Sequence, residues 1–63
     1  MRGEEYIKIV RRRQDELHVT NKELARIVGW SESTMRRRYK TPDAITLGEK
    51  YTIDNYLSIK ERG

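Results

Sequence analysis

The commonest side chains able to do chemistry in this 63-residue chain are its fourteen Lys and Arg cations, and four of them crowd into one stretch. Arg36, Arg37, Arg38 and Lys40 follow closely on Ser31, Glu32 and Ser33. Guanidinium and ammonium groups at this density hold oxyanions through charge-assisted hydrogen bonds; they do not by themselves break bonds. The groups that could break bonds are poorly placed. Glu4-Glu5 and Asp15-Glu16 are sequence neighbours, and adjacent residues on a helix splay apart by about 100°, so neither forms an acid/base pair. His18 is the only histidine and lies in a surface-like context, so no serine or threonine has an evident base. With no cysteine there is no thiolate nucleophile, thiolate metal site or disulfide. The four glycines are isolated and build no phosphate-cradling loop. A chain this short also walls a dry pocket with difficulty. The sequence therefore reads as a non-enzyme, with no catalytic residue, no metal, no cofactor and no small-molecule substrate.

The charge balance points the same way. Fourteen Lys+Arg stand against ten Asp+Glu, for +4 and an isoelectric point near 9.7. Residues 20–45 hold six of the bases (Lys22, Arg26, Arg36, Arg37, Arg38, Lys40) and three of the acids, whereas residues 46–63 are neutral. An excess in the middle of the chain is expected when one surface meets a polyanion. The longest apolar runs are two residues, such as Ile9-Val10 and Ile27-Val28. That excludes a membrane span and a secretory signal, and a cytoplasmic protein is expected. At 38% charged and 35% hydrophobic residues, order has to come from pattern.

The pattern is helical. Tyr6, Ile7, Ile9, Val10 and Leu17 recur at spacings of three, four and seven, predicting a first helix over Glu4–His18 with one apolar stripe. Thr20-Asn21-Lys22-Glu23 reads as a capping box, the Thr20 hydroxyl taking the Glu23 amide and the Glu23 carboxylate reaching back. A second helix follows with Leu24, Ile27 and Val28 inward, and Gly29 stops it. Ser31 caps a third helix that runs to Lys40, where Thr41-Pro42 ends it. Asp43–Ile45 is a loop. Thr46-Leu47-Gly48-Glu49 is a second capping box and opens a fourth helix to Leu57. Ser58–Gly63 reads as a charged tail, at most one further turn anchored by Ile59. The expected fold is an all-α compact bundle of four to five short helices, one domain over residues 4–57 with a tail over 58–63.

Residues 20–40 are two helices joined by a short turn carrying a glycine, a helix-turn-helix pattern. In this stretch Ala25, Gly29, Trp30 and Met35 resemble the lambda-repressor-like (Cro/CI-type) DNA-binding family. There they match the small residue at the helix crossing, the turn glycine, the apolar turn residue and the buried residue of the recognition helix. The Thr-Pro-Asp-Ala-Ile-Thr-Leu-Gly-Glu run of residues 41–49 also resembles that family's next loop and helix start. Lys50 and Asp54 depart from it, falling where many members are apolar or small. The resemblance implies a short, single-domain regulator of the Cro-like phage or mobile-element kind, inserting its third helix into the major groove of double-stranded DNA.

On such a helix Met35 and Tyr39 share one side with Arg38 at its margin, and Ser33, Arg36, Arg37 and Lys40 share the other. The resemblance makes Glu32, Ser33, Arg36 and Arg37 the base contacts, the arginines reaching guanine O6 and N7. Thr20, Asn21, Lys22, Ser31 and Lys40 become phosphate contacts around the helix starts. Of Arg11, Arg12 and Arg13, one is expected to cover the core and at most one to reach DNA. Trp30 reads as a core plug, and the four tyrosines as rims with hydroxyls toward water. A single domain meets one half-site, so a weak homodimer is expected, built from Tyr56, Leu57 and Ile59. Two other readings stay open: a protein-interaction module (antitoxin, anti-defence protein or adaptor) whose basic face meets an acidic partner, and an excisionase-like architectural DNA binder.

Overall fold

The computed structural model describes residues 2–63, and among them there are four α-helices, one 3-10 turn and no strand. Helix α1 spans Gly3–Leu17, α2 Asn21–Val28, α3 Glu32–Lys40 and α4 Leu47–Arg62; the 3-10 turn is Pro42–Ala44. The protein is a small all-α bundle.

Local chemistry sets most of the boundaries. The side chains of Thr20, Ser31 and Thr46 accept the amides of Glu23, Thr34 and Glu49, at 3.0, 3.1 and 3.1 Å, and so start α2, α3 and α4. Each cap satisfies a helix amide that would otherwise lack a partner, a contribution of about 1 kcal/mol. Gly29 ends α2 at φ 92°, a left-handed conformation that suits a residue without Cβ. His18 ends α1 in the same region at φ 58°, with the Val19 amide closing back onto the Gln14 carbonyl at 2.9 Å.

The core draws on every α-helix: Ile7 and Val10 from α1, Leu24 and Ala25 from α2, Met35 and Tyr39 from α3, and Ile53 and Leu57 from α4. Val19 and Ile45 enter from the connections. Burying a leucine or isoleucine as fully as Leu24, Ile53 and Leu57 are buried stabilises the fold by about 1.5–3 kcal/mol per side chain. Helix α1 runs parallel to α4, since Tyr6 reaches Asp54 and Arg13 reaches Ser58 and Glu61. Helix α2 runs antiparallel to α4, since Glu23 meets Tyr56 and Lys60 while Trp30 meets Glu49.

Several expectations are corrected. Ile9 and Ile27 face solvent, because the core axis passes through Val10 on α1 and between Leu24 and Ala25 on α2. The Thr20–Glu23 box is only half formed: the Glu23 carboxylate turns away to accept from the Tyr56 hydroxyl and pair with Lys60. The box at Thr46 and Glu49 is complete, the carboxylate taking the Thr46 amide at 2.9 Å. Residues 58–62 are no tail: α4 continues to Arg62, held by Arg13–Glu61 and Lys60–Glu23 pairs, each at 3.3 Å. Residues 42–44 form a 3-10 turn, not an irregular loop. Leu57 is wholly buried and Tyr56 is half-buried against α2, so neither forms the free surface expected for a dimer. Three tyrosine hydroxyls are bonded within the protein, Tyr6 to Asp54, Tyr39 to Gln14 and Tyr56 to Glu23; only Tyr51 stands out in solvent.

Candidate nucleic-acid interface

Helix α3 divides as its spacing demands. Met35 and Tyr39 are buried, Arg38 is half-buried, and Glu32, Ser33, Arg36, Arg37 and Lys40 are exposed. The outer row meets α1 and α2 at a hollow of about 250 Å³. Arg11 enters it from α1, Asn21 and Lys22 from the start of α2, and Glu32, Arg36 and Lys40 from α3, above a floor of Met35 and Tyr39. Four cations and one carboxylate thus converge from three helices.

A buried network sets the floor. The Tyr39 hydroxyl donates to Gln14 Oε1 at 2.6 Å. Gln14, only 4% exposed, donates in turn from Nε2 to Asn21 Oδ1 at 3.0 Å and to the Val19 carbonyl at 3.3 Å. Every polar atom of the glutamine amide therefore has a partner, as burial requires. Burial pushes the Tyr39 phenol up to about 12, opposed in part by Arg11. The Arg11 guanidinium carbon lies 5.1 Å from the centre of the Tyr39 ring, within cation–π range. The ring thereby fixes where the arginine charge stands. Because Gln14 occupies Asn21 Oδ1, the donor end of that amide is left for a partner outside.

The other candidates spread around this centre. Arg37 lies on the far flank of α3 and donates to Thr34 Oγ1 at 3.4 Å, outside the hollow. Ser33 is exposed. Ser31 both caps α3 and donates to Thr34 Oγ1 at 3.0 Å. Thr20 caps α2 and lines an adjoining hollow with Arg11, Gln14 and Asn21. Lys40 also borders a third hollow with Arg2, Thr41 and Asp43. Of the nine candidate residues, the structure thus brings Asn21, Lys22, Glu32, Arg36 and Lys40 around one hollow and leaves Thr20, Ser31, Ser33 and Arg37 beside it.

Sequence reasoning missed Gln14 and did not single out Arg11 from its two neighbours. The signal for Arg11 was its phase: one residue past Val10 and four past Ile7, it borders the buried stripe on the side away from Tyr6 and Arg13. Arg13 instead turns to α4 and Arg12 is exposed. Trp30 is half-buried against the core, and its indole N–H donates to Glu49 Oε2 at 2.8 Å. The Thr46 amide, and after it the indole, hold the Glu49 carboxyl below its ordinary value.

Among the described residues no cluster of three or more His, Cys, Asp or Glu is placed to hold a metal ion, and no helix is long and apolar enough to cross a membrane. Comparison with protein-family models, curated proteins and solved structures finds no match to this chain.

Proposed function

We propose that this domain binds double-stranded DNA sequence-specifically and regulates transcription, as the α2–α3 unit of a lambda-repressor-like helix-turn-helix laid against the major groove. The observation that carries the reading is the convergence of Arg11, Lys22, Arg36 and Lys40 beside the exposed row of α3. In this reading Arg36 reads a guanine edge, with Glu32, Ser33 and Arg37 as neighbouring base contacts. Asn21, Lys22 and Lys40, with the capped helix starts at Thr20 and Ser31, hold phosphate. Arg11 joins them as a phosphate contact from α1. The domain acts by binding alone, without cofactor, and works in the cytoplasm on bacterial or phage DNA.

Selection of duplexes from a random library by the purified protein tests this. An enriched site, bound with an affinity that falls steeply with salt, is the expected result. A pseudo-palindromic site fits a dimeric regulator and an asymmetric one a monomeric or architectural binder. Absence of enrichment, or an affinity indifferent to salt, overturns the DNA reading and favours an acidic protein surface as partner.

A further inference from the structure

Helices α2, α3 and α4 each carry one glutamate in the first turn: Glu23, Glu32 and Glu49. Two of these are used inside the protein. Glu23 accepts from Tyr56 and pairs with Lys60, while Glu49 closes the Thr46 box and takes the Trp30 indole. Glu32 is exposed, and the ion pairs of the described residues, Arg13–Glu61 and Lys60–Glu23, leave it out. Arg36 stands four residues further along α3, at the spacing where a glutamate and a cation pair on one helix, yet the two are not paired.

This carboxylate lines the hollow beside Arg11, Lys22, Arg36 and Lys40, and is the one anionic side chain there. The four cations suit a phosphate; a carboxylate among them repels one, whatever the sequence of the duplex. That repulsion is offset only where the base edge opposite Glu32 offers an N–H. In the major groove cytosine does so through N4 and adenine through N6, whereas guanine and thymine offer acceptors. Adenine also sets its N7 acceptor beside the donor, against the second carboxylate oxygen. Cytosine, whose N4 has only a C–H beside it in the groove, is the base a carboxylate fits.

We propose that Glu32 is the residue that makes this interface selective: it admits a duplex presenting an unmethylated cytosine amino group at one position and turns away duplexes that lack it. This rests on the reading of the basic hollow as a DNA interface. Selectivity of this kind comes from a charge left unpaired by the wrong partner, so it lowers affinity for every other sequence. Four residues advance a helix by about 6 Å, and a base-pair step is about 3.4 Å. Glu32 and Arg36 therefore reach bases within two steps of each other, a cytosine near a guanine. The cytosine amino group has one hydrogen in the base pair and one facing the groove. N4-methylation replaces the outer hydrogen and keeps the pairing, so it removes the donor that Glu32 needs.

The test titrates three kinds of duplex, followed by fluorescence anisotropy, with wild type, Glu32→Gln and Glu32→Ala. The duplexes are the one enriched by selection, the same duplex with each cytosine replaced in turn by N4-methylcytosine, and a scrambled one. Wild type should lose at least about fivefold in affinity on methylation of one cytosine, and Glu32→Ala less than about twofold on that same duplex. Glu32→Gln should bind the scrambled duplex about two- to fivefold more tightly than wild type, a gain that shrinks as salt rises. Its selected-to-scrambled ratio should fall at least about fivefold. A carboxylate that served only the dipole of α3 would lower the melting temperature on substitution and leave that ratio alone. An unchanged ratio in Glu32→Gln overturns the inference while DNA binding stands. So does a selected site on which no methylated cytosine weakens wild type, or a methylation penalty that persists in Glu32→Ala. A protein that enriches no duplex overturns the DNA reading and this inference together.

Discussion

Replacing Tyr39 with phenylalanine removes one oxygen atom and should be costly. The hydroxyl donates to Gln14 Oε1 at 2.6 Å between two buried side chains, so its loss leaves an acceptor without a partner where water is excluded. That costs about 1–3 kcal/mol. A 63-residue domain has roughly 3–9 kcal/mol of stability in total, and each kcal/mol moves the melting temperature by about 4–8 °C at this size. Tyr39→Phe should therefore melt roughly 5–20 °C below wild type. Gln14→Met keeps an unbranched chain of similar size but leaves the phenol unpaired and frees Asn21 and the Val19 carbonyl, so about 3 kcal/mol is expected. The double variant removes both ends of the short bond and should lose at least about 1 kcal/mol less than the two single losses combined. Urea unfolding followed by circular dichroism on all four proteins measures the coupling. Strict additivity, or a Tyr39→Phe shift below about 2 °C, would refute the network as a structural tether.

Arg36→Ala should lose about 1–3 kcal/mol of binding on a selected duplex and relax the choice at one base pair, while Arg11→Gln should weaken selected and scrambled duplexes alike and lower the salt slope by about one; mobility shifts across a salt series separate the two. Met35→Ala should destabilise the domain by about 2–5 kcal/mol in the same urea assay, because the side chain is 2% exposed. At Gly3 an added Cβ would stand 2.6 Å from Asp43 Oδ1 and 2.9 Å from Pro42 Cβ, so Gly3→Ala should cost about 1–3 kcal/mol by calorimetry. Glu23 and Glu49 both have carboxyls held below the ordinary 4.5, Glu23 chiefly by the Tyr56 hydroxyl and Glu49 chiefly by the Thr46 amide. Their contribution is present above that value and is lost as pH falls through the depressed ones, so melting temperature should drop on acidification below 4.5, and by less in Glu49→Gln.

The helix starts were legible because a cap is local chemistry: Thr20, Ser31 and Thr46 act on an amide three residues away, whatever the rest of the chain does. Gly29 was legible for the same reason, since the left-handed end of a helix is strained for most residues with a Cβ and natural to glycine. What could not be read depends on neighbours distant in sequence. Glu23 had the spacing to close its own box, but Tyr56 and Lys60, more than thirty residues away, offer better partners. Ile9 and Ile27 fit the apolar periodicity and still face solvent, because periodicity gives the direction of a stripe and not how far the neighbouring helices cover it. Gln14 looks like one more polar residue on a polar helix until Tyr39 is set against it. The side chains on the outer row of α3 were legible from Met35 and Tyr39, whose four-residue spacing fixes the opposite face. That Arg11 joins them was not, because its seat over the Tyr39 ring is a tertiary fact.

Trp30 gives this protein a built-in optical reporter. It is the only tryptophan of the chain, and its indole is held by the same carboxylate that closes the capping box of α4. Its emission therefore senses the turn between α2 and α3 and the first turn of α4 together. Should the two regions separate during unfolding, the indole would move into water and its spectrum shift while much of the helical circular dichroism persisted. Coincidence of the fluorescence and dichroism transitions would instead mark the bundle as a single cooperative unit.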